Sequence, residues 1–357
     1  MSKKISFPTQ VGFYTTLKNR VNQYFADANL PATGNWRMFL KTAIILVWLA
    51  SAYVLLVFFS TSLIMAIITA FAVAQGFVLV GFNIMHDGNH GSYSKNKTIN
   101  YLMGFTMNLI GGNQMYWKQK HNILHHTYTN ITEMDDDLNT GGLLRLSPDQ
   151  EWHPWHRFQH IYAFPIYSLM SLSWLTFADF RKFFTGRIGT YKLRKPSAYE
   201  TTLFFLTKVF YFGYTLILPM FFHPVAYVLI GFLGVHLVLG FTLAIVFQLA
   251  HTVEGNTFPQ PHPQTRIVEN EWAIHEVETT ADFAPKSKFI AWYMGGLNFQ
   301  IEHHLFTKVC HIHYPAISKI VESTCQEFKV SYVSYPTVRS AVAAHYRFLR
   351  ELGAARA

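Results

Sequence analysis

Four stretches of this chain are long, apolar and free of charge, and a polypeptide that carries them has few ways to fold. They cover residues 42–59, 63–85, 209–222 (extended at its start by 203–207) and 225–250, the last interrupted only by His236. In hydrocarbon a segment must satisfy its own backbone groups, so such runs become helices. About 20 residues at a 1.5 Å rise cross a hydrocarbon core of roughly 30 Å. Short turns near 60–62 and 222–224 join the runs two by two. The chain is 50% hydrophobic over 357 residues, and these residues are bunched rather than spread with amphipathic periodicity. Buried helices of a large soluble protein are therefore the poorer reading. The expected fold class is all-α: an integral membrane protein with four transmembrane helices in two hairpins, closed by a helical cap.

The basic residues orient this arrangement. Both hairpin turns lack Lys and Arg, whereas Lys3, Lys4, Lys18, Arg20, Arg37, Lys41, the stretch 181–195 and the C-terminal tail are rich in them. The positive-inside rule places these segments, and the cap, on the cytoplasmic side. The formal charge of +9 then faces anionic headgroups. No basic stripe is interleaved with exposed aromatics, so no nucleic-acid partner is expected. No apolar h-region follows the N-terminus, so no cleaved signal peptide is expected. Cys310 and Cys325 are the only cysteines and form no C-x-x-C pair, which fits a reducing compartment. Residues 1–37 read as a cytoplasmic lead-in, 38–330 as one membrane domain and 331–357 as a cytoplasmic tail. Within the domain, 99–117 reads as re-entrant or interfacial, and 160–180 as an amphipathic interfacial helix.

Seven histidines mark the chemistry. They fall in HDGNH (His86, His90), HNILHH (His121, His125, His126) and QIEHH (His303, His304), each beside an apolar stretch. Helical residues four apart share a face, so His86 pairs with His90 and His121 with His125. His126 is rotated by about 100°, so that helix offers two imidazoles to one metal and one to another. This argues for a dinuclear site over a single tetrahedral zinc. Neutral imidazole suits several transition metals. With neither H-E-x-x-H nor the Glu-x-x-His pairs of carboxylate-bridged bundles present, a histidine-rich non-haem iron site that activates dioxygen fits best. His251, at the end of the fourth run, is placed to join it. His275, His311 and His313 read as supporting or structural residues. His153, His156, His160, His223, His236, His262 and His345 read as ordinary hydrogen-bonded histidines.

HDGNH, HNILHH and QIEHH, in this order and alternating with two hydrophobic hairpins, resemble the three histidine boxes of membrane fatty acid desaturases over about residues 38–330. Gln300 at the head of the third box, and the continuation HHLF (303–306), resemble the front-end subgroup. Those enzymes place a cis double bond between an existing one and the carboxyl end of a chain such as linoleoyl. The resemblance implies two iron ions held by His86, His90, His121, His125, His126, His303 and His304, with His251 and Gln300 completing the set. It also implies O2 as co-substrate and an acyl-CoA or acyl-lipid substrate. The His-Pro-Gly-Gly mark of a fused cytochrome domain is missing, and no G-x-G-x-x-G is visible. An external donor, ferredoxin or a free cytochrome, is therefore expected to dock on basic residues such as Arg181, Lys182 and Arg187. The lean chain points to a bacterial inner membrane, with the endoplasmic reticulum as the alternative.

Asp87, Glu302, Asp282 and His275 are candidates to orient the ligand imidazoles through their second ring nitrogen. Asp135, Asp136 and Asp137 read equally as such partners or as a solvated acidic turn. Trp117, Trp272 and Asn298 are candidates for an acyl tunnel, or for interfacial anchors. A related lipid hydroxylase or ketolase is the nearest alternative enzyme. A metal transporter or sensor would place ionisable residues in the middle of spans, where this reading finds only His236.

Overall fold

A computed structural model describes residues 5–9 and 12–354 of the protein; Lys3 and Lys4 of the basic N-terminal segment lie outside the described residues. Among the described residues, four helices are long and apolar enough to cross a membrane: Trp36–Phe59, Leu63–His90, Ala198–Met220 and Val225–His251. They follow the four charge-free runs, and side chains cap the starts of the first three. The Asn35 side chain accepts from Arg37 N–H at 3.0 Å, and Ser62 Oγ accepts from Met65 N–H at 3.2 Å. Ser197 and Glu200 form a reciprocal capping box, satisfying donors that a helix start leaves free. Large apolar side chains such as Leu63, Ile64, Val209, Phe221 and Tyr227 stay exposed along these helices, as lipid-facing surfaces do.

Small residues set how closely the helices approach. A Cβ on Gly76 would lie 2.9 Å from Leu49 of the first span, and one on Gly240 only 2.4 Å from the Ser168 carbonyl oxygen. Such contacts replace the hydrophobic drive that lipid cannot supply between helices. The first two spans pack against each other and the fourth lies against the second, while the third leans on Lys97–Leu109. Residues 160–180, expected as one interfacial helix, belong instead to two helices, Pro154–Tyr167 and Met170–Thr185, bent by 66°. Pro165 has no N–H to give, and the chain tightens after it through i→i+3 bonds from Ser168 to Pro165 and Leu169 to Ile166.

Among the described residues, sheet is confined to two short pairs, Arg187–Ile188 with Tyr191–Lys192, and Ala281–Phe283 with Val333–Tyr335. Both ends of the chain pack onto the body. The helix Phe13–Asp27 buries Phe13, Leu17, Val21 and Phe25 against Tyr314–Phe328. The helix Val338–Ala354 buries a face around His345, whose ring bonds Tyr167 Oη at 2.8 Å and the Thr252 carbonyl.

One charged residue within a span was not recognised in the sequence. Lys208 of the third span is buried and donates to Asp179 Oδ2 at 3.0 Å and to the Gly111 carbonyl at 2.6 Å. Trp174 Nε1 holds the other carboxylate oxygen at 2.9 Å. Lys182, expected on an exposed basic surface, is also buried, whereas Arg181 and Arg187 are exposed. Removing one member of a buried ion pair strands the other charge at a cost of about 3–5 kcal/mol. Lys208→Met should therefore lower stability by that order in detergent unfolding titrations. Lys208→Met combined with Asp179→Leu should recover much of the loss.

Candidate metal centre

The second span changes character just before its first histidine. Its hydrogen bonding widens to a π-turn at Gly81–Met85, then returns to α at His86–His90, where Gly91 (φ +75°) ends it. A second π-turn, Gln119–His125, carries His121 and His125. Such turns re-aim side chains and recur at functional sites. The fourth span ends on His251, and the short helix Gln300–Leu305 carries His303 and His304.

These elements bring all eight histidines together, each almost wholly buried. Four ring nitrogens, from His86, His90, His121 and His303, lie within 4.8 Å of one another, and those of His125, His251 and His304 form a second such group. His126 stands between them: its Nε2 is 3.1 Å from His121 Nε2, and its ring centroid is 4.6 Å from His303 and 4.3 Å from His304. The split differs from helical-face reasoning, which gave His121 and His125 to one metal. Their rings stack at 5.2 Å, on one face as that reasoning expected, yet His121 also lies with His86, His90 and His303, and His125 with His251 and His304. His121, His125 and Asp137 also come close enough to share an ion. Gln300 begins the third-box helix and is 2% exposed.

The second ring nitrogens show what aims the rings. His304 Nδ1 meets Glu276 Oε2 at 2.6 Å, His125 Nδ1 meets both Asp135 oxygens at 3.2 Å, and His303 Nδ1 meets Tyr314 Oη at 3.1 Å. His251 Nδ1 faces the Thr279 carbonyl at 3.4 Å. With Nδ1 engaged, Nε2 of His303 and of His304 is buried without a protein partner, as is Nε2 of His90. Orphaned acceptors of this kind are costly unless a ligand meets them, and a transition metal is the partner that neutral imidazole suits. Burial, then the neighbouring imidazoles, hold His121, His126, His303 and His304 far below the ordinary histidine range. They are therefore in the ligating, neutral form. For His125 burial pulls the same way, but Asp135 and Asp137 outweigh it and raise the pKa. Burial lifts Glu276 well above the carboxyl range, so its contact with His304 joins two neutral groups.

Three of the proposed supporting residues lie elsewhere. Asp282 and Glu302 do not touch an imidazole. Both accept contacts from Tyr332 Oη, at 2.7 and 3.1 Å, and Asp282 Oδ1 also caps the third-box helix at Ile301 N–H, 3.1 Å. Glu302 precedes His303 by one residue, about 100° around the helix, and so points away from the rings. His275 is likewise rotated from Glu276 and packs edge-on against Phe7 at 5.1 Å. Asp87 does lie beside His86, 3.9 Å from its Nδ1, but chiefly accepts from His311 Nδ1 at 2.9 Å and Cys310 Sγ at 3.0 Å. On the far side of the His311 ring, Lys41 Nζ sits 3.0 Å from Nε2. Glu276 and Tyr314 were not singled out in the sequence. The only signal for Glu276 was a carboxylate set among apolar Ala273 and Val277.

An apolar channel reaches the first histidine group, lined near it by Phe82, Met85, His86, Trp117, Leu243 and Phe247 and free over about 60 Å³. Trp117 stacks on His121 at 4.2 Å. Trp272 and Asn298 do not line it; the Trp272 indole donates to the His126 carbonyl at 3.2 Å, and Asn298 donates to the Phe283 carbonyl.

Eight buried imidazoles at the foot of an apolar channel, among membrane helices, define a metal-dependent enzyme of lipids. The family model for fatty acid desaturase matches residues 60–336, and the chain belongs to that family. It is 39% identical over 356 residues to the sn-1 linoleoyl-lipid 6-desaturase of Arthrospira platensis, covering 98% of this chain and 95% of that one. It is 35% identical to the enzyme of the same name from Synechocystis sp., covering 99% of both. An acyl-lipid (8-3)-desaturase of Physcomitrium patens is 39% identical over 96% of this chain and 72% of its own length.

Partners of metal-bound histidines are typically worth 10–100-fold in metal affinity. Glu276→Gln should weaken metal retention by about that factor during chelator dialysis, read as metal per chain by mass spectrometry. Asp282→Asn should leave retention within a few-fold of the parent protein.

Proposed function

We propose that this desaturase acts on an acyl-lipid, taking a linoleoyl chain and inserting a cis double bond on the carboxyl side of the existing ones. The observation that carries this reading is the apolar channel ending on His86, within a chain matched nearly end to end by two linoleoyl-lipid 6-desaturases. The balance is one acyl chain, O2, two electrons and two protons in, one alkene and two waters out. Two iron ions, held by His86, His90, His121 and His303 on one side and His125, His251 and His304 on the other, would supply the oxidising power. His126 lies where it can serve either ion, and Gln300 is the remaining candidate ligand.

The protein's own contribution is position and dryness. Glu276, Asp135 and Tyr314 fix the rings that they touch, and the buried surroundings of the histidines keep water from competing for the oxidant. The free volume is smaller than an acyl chain, so entry requires flexible side chains such as Met85 and Met107 to move aside. The positive-inside rule supports putting the histidine groups at the cytoplasmic ends of the two hairpins.

Electrons come from a separate acidic carrier that docks on exposed basic residues, Arg181 and Arg187 among them. Arg181→Glu with Arg187→Glu should slow turnover with a carrier protein by about tenfold at low salt. Turnover with a small chemical reductant should be unchanged; equal slowing with both would remove the docking assignment. Expression in a host supplied with linoleate, with double-bond positions read by mass spectrometry, tests the reaction itself. A triene with its new bond nearer the carboxyl group is expected. An oxygenated product, or a bond added towards the methyl end, would overturn the proposal.

A further inference from the structure

The apolar pocket that His86 lines is also lined by Ser171 and His236, two members of a polar cluster. Along the fourth span its wall is Phe247, Leu243, Leu239 and His236, successive turns on one face. His236 lies some 22 Å along the helix axis from His251, at 1.5 Å per residue. It is 2% exposed and the only ionisable group of that span's interior. Intramembrane ionisable residues are costly and are kept for a reason.

The hydrogen bonding of this cluster is closed. His236 Nδ1 is 3.0 Å from Ser171 Oγ, which itself donates to the His236 carbonyl at 2.8 Å. Tyr211 Oη is 2.9 Å from His236 Nε2. Ser171 has one proton and gives it to the carbonyl, so Nδ1–H donates to Ser171 Oγ and Tyr211 donates to Nε2. The imidazole is neutral and has no free donor or acceptor for a ligand. Its surroundings are tight. A Cβ on Gly111 (φ +96°) would fall 3.2 Å from the Tyr211 ring, Gly240 presses on the Ser168 carbonyl, and Phe232 backs His236 at 4.4 Å. Residues of the third span, the fourth span and the bent helix Met170–Thr185 thus lock one ring across the channel.

We infer that His236, held by Ser171 and Tyr211, is the floor against which the methyl end of the acyl chain stops. It is a specificity-determining residue that measures chain length by shape. The inference rests on the proposed acyl reaction. A purely structural bridge between helices would lower yield for every chain alike; a floor changes which chains are accepted. A single methylene in an apolar pocket is worth about 10-fold or more in discrimination.

The test is competition in cells between linoleoyl and a homologue two methylenes longer at the methyl end, with double bonds at the same distance from the carboxyl. Conversion is normalised to the amount of each chain in the lipids. His236→Ala should shift the ratio of conversions towards the longer homologue by about tenfold. Leu239→Phe, one turn nearer the histidines, should shift it the opposite way, favouring a homologue two methylenes shorter. This second variant leaves the cluster's hydrogen bonds in place and decides the matter if His236→Ala does not accumulate. Ratios within twofold of the parent in an accumulating variant, with total yield reduced or not, would overturn the floor. Failure of the unaltered protein to convert linoleoyl at all would instead overturn the reaction on which the inference rests.

Discussion

The structure depends on keeping eight imidazoles aimed inward in a place that water does not reach. An exposed histidine would titrate near neutral pH and compete for water; here burial and mutual repulsion push His121, His126, His303 and His304 out of that range. Burial creates the second requirement, since every ring nitrogen left without a partner costs about 1–3 kcal/mol. The protein meets that requirement at Nδ1 of four of the rings with Glu276, Asp135, Tyr314 and the Thr279 carbonyl. It leaves Nε2 of His90, His303 and His304 without a protein partner.

The rest of the architecture follows from supplying those partners. Two of the histidine-bearing segments continue from spans and are fixed by helix packing. The others come from short helices after them, and the residues that orient their rings stand outside the boxes. Glu276 is 28 positions from His304, Tyr314 is 11 from His303 and Asp135 is 10 from His125. Even the chain's end takes part. Tyr332 ties Asp282 to Glu302 beneath the third-box helix, and the strand Val333–Tyr335 pairs beside Asp282.

This geography explains what could be read from the sequence. The four spans were legible because lipid imposes one rule, a charge-free run of sufficient length, and their observed bounds lie within a few residues of those runs. Lys208 escaped notice because its partner Asp179 sits on another helix. The box histidines were legible as clusters because ligand spacing is local, and the structure gathers those residues. Their division into two groups was not, because it depends on where His86, His90, His251, His303 and His304, from other helices, meet the turn that carries His121 and His125. Supporting residues were the least legible. Glu302 and Asp282 looked right because they sit near the boxes, yet one residue of rotation sends Glu302 to Tyr332. Glu276 looked unremarkable and bonds His304.

The same accounting bears on how metal and fold depend on each other. Without a cation, the Glu276–His304 contact joins two neutral groups, and Nε2 of His90, His303 and His304 stays unmatched. A metal held by those nitrogens would satisfy them, and its binding energy would also be assembly energy for the short helices around the site. The spans, by contrast, are set by lipid and by close contacts such as Gly76 on Leu49, before any metal is held at the histidines they carry.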